Sequence, residues 1–238
     1  MEIKTFKGSP KEIGQQKGKI YKKNGLTLDW SGIKKEARKF FINSRGSHNW
    51  DHTLRVYNLC IKIGSLENVD TEVLGMAAIL HDIGREEEYK SNGKVCHAKK
   101  GAILAKELLE KHNIDQEKIE KIISCIKTHR FRSNNFPQSR EAQILFDADK
   151  LDAIGACGIG RAFLFSGEIG ARLHNKDIDL EKTKPYTKED TAYREFSVKL
   201  CKIKDRMLTE EGKKMAIDRH KFMADFFKRL DKEIDGYF

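Results

Sequence analysis

A chain of 238 residues has the length of one large domain, and a single body of that size buries roughly 70 to 75% of the surface its unfolded chain exposes. Five widely spaced cysteines, odd in number and never in a C-x-x-C pair, exclude a disulfide framework and a zinc knuckle, and no apolar run approaches the ~20 residues a membrane helix needs. The net charge of +10 comes from lysines scattered beside Glu and Asp, the pattern of solvated helix faces, with an overall basic field that would draw in anionic substrates.

With three prolines and no Gly/Ser-rich linker, the chain is expected to fold as one domain over 28–238, preceded by an N-terminal extension over 1–27. The extension has no apolar core of the signal-peptide kind, and a cytoplasmic location is expected. Its segment GSPKEIGQQKGK resembles the opening of penicillin-acylase-type acyltransferases for a dozen residues, but the catalytic Cys that follows in that family is missing.

Apolar residues recur at helical spacing and no alternating run suggests a sheet, so the predicted fold class is all-α. The first strong helix covers His48 to Ile63 and stops at Gly64, with His52, Val56, Leu59 and Ile63 on one stripe. A second starts at Asp70 or Thr71 and runs through Val73, Leu74, Ala77 and Leu80 to His81 and Asp82 before Gly84. Arg85 to Cys96 is polar and reads as a loop, followed by a helix from His97 to His112. Asn113 and Asp115 are natural caps for the next helix, whose stripe Ile119, Ile122, Ile126 ends at His129. The basic stretch RFRSNNFPQSR reads as a second loop. Ile144 to Ile154 forms a helix bearing Asp147, Asp149 and Asp152, with small residues Gly155, Ala156, Gly158 and Gly160 after it. Asn175 to Lys188 is a polar connector, Thr187-x-x-Asp190 has the form of a capping box, and Glu189 to Met207 with Glu210 to Ile234 reads as a helical hairpin, about 188–236.

Four inward stripes on four helices thus end in His or Asp. A polar group at a core position must find partners, and several such groups on converging stripes satisfy one another most simply through bound cations. The order His52, then His81-Asp82, then Asp149, in the contexts HNWDHTLRV, AAILHDIG and FDADKLDAIG, resembles the HD-domain metal-dependent phosphohydrolases from about 48 to 161. The C-terminal TEEGKKMAIDRHKFMADF looks like the tail of small HD hydrolases of uncertain substrate. The resemblance implies an HD-type helical bundle with one or two divalent transition-metal ions (Mn, Fe, Co, Ni or Zn). In binuclear relatives two further histidines lie between the doublet and the last Asp, the interval that His97 and His129 occupy here, which would make Asp82 the bridge.

The family also implies a metal-activated water attacking a phosphoester or phosphoanhydride, with a phosphorylated small molecule, in first place a nucleotide, as substrate. Asp82 and Glu86 are the catalytic candidates, although some relatives place a Glu four residues after the doublet's His, where this chain has Arg85. Arg55, Arg130, Lys150 and Arg161 are the candidate phosphate contacts, and His48 and Asp147 the candidate supports for the ligands. His48 and His52 have the spacing of a zinc-protease pair, but Asn49 stands where that motif needs Glu. The competing function is a degenerate HD module that binds nucleotide or nucleic acid without turnover, motivated by Arg85 and the lysine excess. Self-association is compatible with the sequence, and a membrane partner is not expected.

Overall fold

The computed structural model describes residues 22–23, 26–27, 29–44, 46–130 and 135–237. The expected N-terminal extension lies almost entirely outside the described residues. Its described part is a two-residue antiparallel ladder, β1 (Lys22–Lys23) against β2 (Leu26–Thr27).

Helix starts follow local chemistry. Asn49 accepts from the His52 amide and opens α2 (Trp50–Gly64), Asp70 accepts from Glu72 and Val73 and opens α3 (Thr71–Leu80), and α5 (His97–Lys111) begins at the first of the intervening histidines. Asp115 caps α6 (Gln116–Thr128) and Ser139 caps α7 (Arg140–Leu151), each through a side-chain oxygen on an amide three residues ahead. An earlier helix, α1 (Trp30–Lys39), had no counterpart in the sequence reading. The all-α class holds throughout these elements.

The central helix is α3. Every residue from Val73 to Leu80 is buried, so it is apolar all round, and α2, α6 and α7 pack about it. Fully buried side chains such as Leu74, Ile79 and Leu80 each contribute about 1.5–3 kcal/mol relative to exposure. The α5 helix leans on α6. This arrangement brings the start of α2, the ends of α3 and α6, the start of α5 and the last turn of α7 to one place.

Two expectations are corrected. The stretch Arg85–Cys96 is not all loop: α4 (Arg85–Lys90) forms there, with three glutamates in its first turn against the positive end of the helix dipole and Lys90 four residues after Glu86. It buries no residue, so apolar periodicity could not reveal it. The helix expected from Glu189 to Met207 is divided into α9 (Ala192–Val198) and a 3₁₀ turn, Leu200–Arg206. The capping box expected at Thr187 does not start the helix: the Asp190 carboxylate is taken by the Arg194 guanidinium at 2.8 Å and the Tyr186 amide, and Thr191 is the cap.

Between them, α8 (Gly155–Glu168) packs beside α9, and the long α10 (Glu210–Ile234) covers α7 and α8. Among the described residues no helix is long and apolar enough to cross a membrane.

Candidate metal centre

His81 and His129 are the residues that end α3 and α6, and their rings fold back on their own helices. The His81 Nδ1 donates to the Ala78 carbonyl at 2.7 Å, and the His129 Nδ1 to the Ile126 carbonyl at 2.6 Å. His52, in the first turn of α2, donates from Nδ1 to Asp152 Oδ2 at 2.7 Å, and His97, the first residue of α5, from Nδ1 to Glu88 Oε2 at 2.8 Å. With all four Nδ1 protons engaged by oxygen, all four Nε2 atoms are left for the interior.

They converge on Asp82. Its Oδ2 lies 3.6 Å from His52 Nε2 and 3.6 Å from His81 Nε2. Its Oδ1 lies 3.5 Å from His97 Nε2 and 3.6 Å from His129 Nε2. Asp149 Oδ1 approaches His52 Nε2 at 3.4 Å. The cluster therefore has two lobes sharing one carboxylate: His52, His81, Asp149 and Asp82 Oδ2 on one side, His97, His129 and Asp82 Oδ1 on the other. In the second lobe the two Nε2 atoms are only 3.1 Å apart, and two lone pairs that close repel unless a proton or a cation lies between them.

Burial sharpens this. His52, His81, Asp82, His97 and His129 are all buried, and His52 Nε2, His81 Nε2 and Asp82 Oδ2 have no hydrogen-bond partner. A buried polar atom without a partner costs about 1–3 kcal/mol. Three of them facing one another, all of ligand type, fit divalent ions of the imidazole- and carboxylate-binding kind.

The electrostatics prepare the donors. Burial holds His81 down at about 4, and burial with the nearby Arg85 guanidinium holds His97 at about 4, so both are neutral with lone pairs available. Burial alone would raise Asp82 and Asp149, but the Arg85 guanidinium pulls the first, and Lys150 and His52 the second, well below the ordinary carboxylate range. His52 differs: burial opposes its charge, yet three carboxylates, Asp149 and Asp82 facing Nε2 at 3.4 and 3.6 Å and Asp152 hydrogen-bonded to Nδ1, win and raise it to about 9. Without a cation His52 is thus protonated at neutral pH, and its Nε2 proton must leave before that atom can ligate. Cation binding at pH 7 is expected to release about one proton from this residue, and affinity to rise with pH until about 9, where the proton is already gone. Titration calorimetry in buffers of different ionisation heats checks this; a proton count near zero at pH 7 would contradict it.

The other candidates fall into distinct places. Arg55 grips Asp152 through Nε at 2.7 Å and Nη2 at 3.0 Å, and Arg161 through Nη1 at 2.9 Å, so both stand behind His52. Lys150 donates to the His129 carbonyl and to Asp149 Oδ2. Arg130 donates to Glu88 Oε1 at 2.5 Å. His48, on a 3₁₀ turn before α2, comes to 3.7 Å from Asp82 Oδ2. Asp147 does not reach the cluster: it faces α10, accepting from the Leu208 amide and from the amide and hydroxyl of Thr209. The carboxylate behind a ligand on this side is Asp152. Glu86 also points elsewhere, paired with Lys90 at 2.9 Å. Glu88, two residues on, is the α4 carboxylate that faces the cluster; the run Glu86-Glu87-Glu88 held no signal to choose among the three.

Comparison with known proteins agrees with this architecture. The HD domain family model matches residues 49–154. The uncharacterized protein YpgQ of Bacillus subtilis is 31% identical over 211 residues, covering 86% of this chain and 93% of the relative. The crystal structure of Bacillus subtilis YpgQ in complex with ADP superposes with a TM-score of 0.67 at 30% identity, over 87% of this chain and 98% of that one. An HD-superfamily hydrolase from Bacillus thuringiensis gives a TM-score of 0.67 at 26% identity, over 86% and 96% of the two chains.

Proposed function

The chain belongs to the HD-domain family, and from that premise we propose that it is a metal-dependent phosphohydrolase, cleaving a phosphoester or phosphoanhydride bond of a nucleotide or related small phosphate. The observation that carries this reading is the set of buried, partnerless ligand atoms, His52 Nε2, His81 Nε2 and Asp82 Oδ2, turned toward one another. His52, His81, Asp149 and Asp82 Oδ2 would hold one divalent cation, and His97, His129 and Asp82 Oδ1 a second. Cations there would supply Lewis-acid activation of water and of a phosphoryl oxygen.

The protein's own part is positional. Asp152 and the two backbone carbonyls fix the imidazoles, while Arg55 and Arg85, the most exposed of the five cations around the cluster, would be the ones to meet an incoming phosphate. Both already hold carboxylates, Asp152 and Asp82, so their charge is partly compensated and an anion would share them. That YpgQ is seen with ADP supports a nucleotide as the small phosphate.

The test is release of phosphate or pyrophosphate by Mn²⁺- or Co²⁺-loaded protein from nucleoside mono-, di- and triphosphates, dinucleoside polyphosphates and p-nitrophenyl esters. At least one class is expected to turn over, to stop with chelator and to recover with cation. No turnover across the panel by fully loaded protein would overturn the reading. One observation favours a rival: Arg85 donates to Asp82 Oδ1 at 2.9 Å, at a position where some relatives carry Glu. A module that binds without turnover would keep its nucleotide affinity when His81 and Asp82 are both changed to Ala.

A further inference from the structure

The two lobes share a construction that reaches beyond their ligands. Each contains one imidazole whose Nδ1 is held by a backbone carbonyl three residues back and one whose Nδ1 is held by a carboxylate. Each of those carboxylates is in turn held by two arginines: Asp152 by Arg55 and Arg161, Glu88 by Arg85 at 3.2 Å and Arg130 at 2.5 Å. We infer that Glu88 is a positioning residue for a second cation, fixing the ring and tautomer of His97 as Asp152 does for His52. The inference rests on the paired-cation reading of the cluster.

The physical argument concerns which nitrogen carries the proton. A neutral imidazole has one N–H and one lone pair, and a ligand needs its lone pair on the atom facing the ion. Glu88, an acceptor only, demands the proton on Nδ1 and so leaves Nε2 bare, 3.5 Å from Asp82 Oδ1 and 3.1 Å from His129 Nε2. The three partners of Glu88 come from different elements: Arg85 from the start of α4, His97 from the start of α5, and Arg130 from just beyond α6. Its carboxylate therefore sets the position of the His97 ring as well as its proton. A surface ion pair would need none of this convergence, and Glu88 is the carboxylate that meets His97 Nδ1, at 2.8 Å.

Glu88→Gln is the discriminating change, because it keeps the volume but offers an amide NH₂ that can turn toward Nδ1 and move the His97 proton to Nε2. Cation titrations with Co²⁺, followed by calorimetry and by absorption, should show the first equivalent unchanged and the second weakened by about 10- to 100-fold, as for other groups that orient ligands from behind. His97→Ala should show the same pattern, and Glu88→Asp should recover part of the second equivalent. Ring ¹⁵N shifts of His97 in the cation-free protein give an independent readout: Nδ1–H in the parent, a shift toward Nε2–H in Glu88→Gln.

Retention of both equivalents at parental affinity by Glu88→Gln, with the tautomer unchanged, would overturn the inference. So would an equal loss of both equivalents, which would assign Glu88 to the fold as a whole. A parent protein that takes up only one cation would instead overturn the paired-cation reading, and a parent that takes none would remove the metal centre altogether.

Discussion

Asp82→Asn is expected to empty both lobes in one step while leaving the helical fold in place. Asp82 is the one residue whose two oxygens face different pairs of imidazoles, Oδ2 toward His52 and His81 and Oδ1 toward His97 and His129. Asn has the same shape, but it loses the charge that opposes two cations and replaces one acceptor with a donor. In the cation-free protein that exchange is tolerable, since the NH₂ group can donate to the neutral His81 Nε2, which has no partner now, while the amide oxygen still accepts from Arg85. The expected outcome is a far-ultraviolet circular dichroism spectrum like the parent's, bound metal falling from near two equivalents to near none, and hydrolysis falling on the order of a thousandfold or more as the neutral-pH nucleophile is lost. Elemental analysis and steady-state rates measure this directly. A variant that still carries two equivalents would mean that Asp82 is not the shared ligand.

Gly84→Ala should cost stability and the second lobe together. Gly84 has φ of −89°, an ordinary value for any residue, so its role is space and not conformational freedom. A Cβ there would sit 2.4 Å from the His97 carbonyl oxygen, 2.5 Å from the Gly101 amide nitrogen and 3.0 Å from the Gly101 Cα. All three are backbone atoms of α5, so no side chain can turn aside and the helix itself must retreat, taking His97 with it. Overpacking of this kind typically costs about 1–3 kcal/mol, and a rigid backbone neighbour puts Gly84→Ala at the upper end or beyond. The reciprocal change makes a sharp control, because a Cβ on Gly101 meets nothing closer than 3.4 Å, ordinary contact, and Gly101→Ala should be nearly neutral. Denaturant midpoints for the two variants, with Co²⁺ stoichiometry, would separate them; equal stabilities would refute the close-approach account.

The helices that carry the cluster were legible because their apolar stripes have the α period and because caps such as Asp70 and Asp115 mark their starts. His52, His81, Asp82 and Asp149 could be picked out since each ends or interrupts such a stripe. The α4 residues could not be assigned the same way. A six-residue helix with no buried side chain has no stripe, and each step along it turns the side chain by about 100°, so Glu86 and Glu88 point in different directions although neither stands out in the sequence. Asp147 and Asp152 pose the same difficulty on α7: both lie near Asp149, and only packing assigns one to α10 and the other to His52. The split at 192–206 was hidden because Thr187 and Asp190 have the letters of a helix start, while the Arg194 side chain that claims Asp190 comes later in the chain.

His81 and His129 close their helices, and the two helix ends shape the field inside the cluster. The carbonyl end of a helix carries roughly half a negative charge, and two such ends, from α3 and α6, meet here together with two ionised carboxylates. The starts of α2 and α5 and five surrounding cations offset those ends, so negative potential is confined to the point where Asp82, Asp149 and the imidazole nitrogens face one another, and that is where a divalent ion would be drawn.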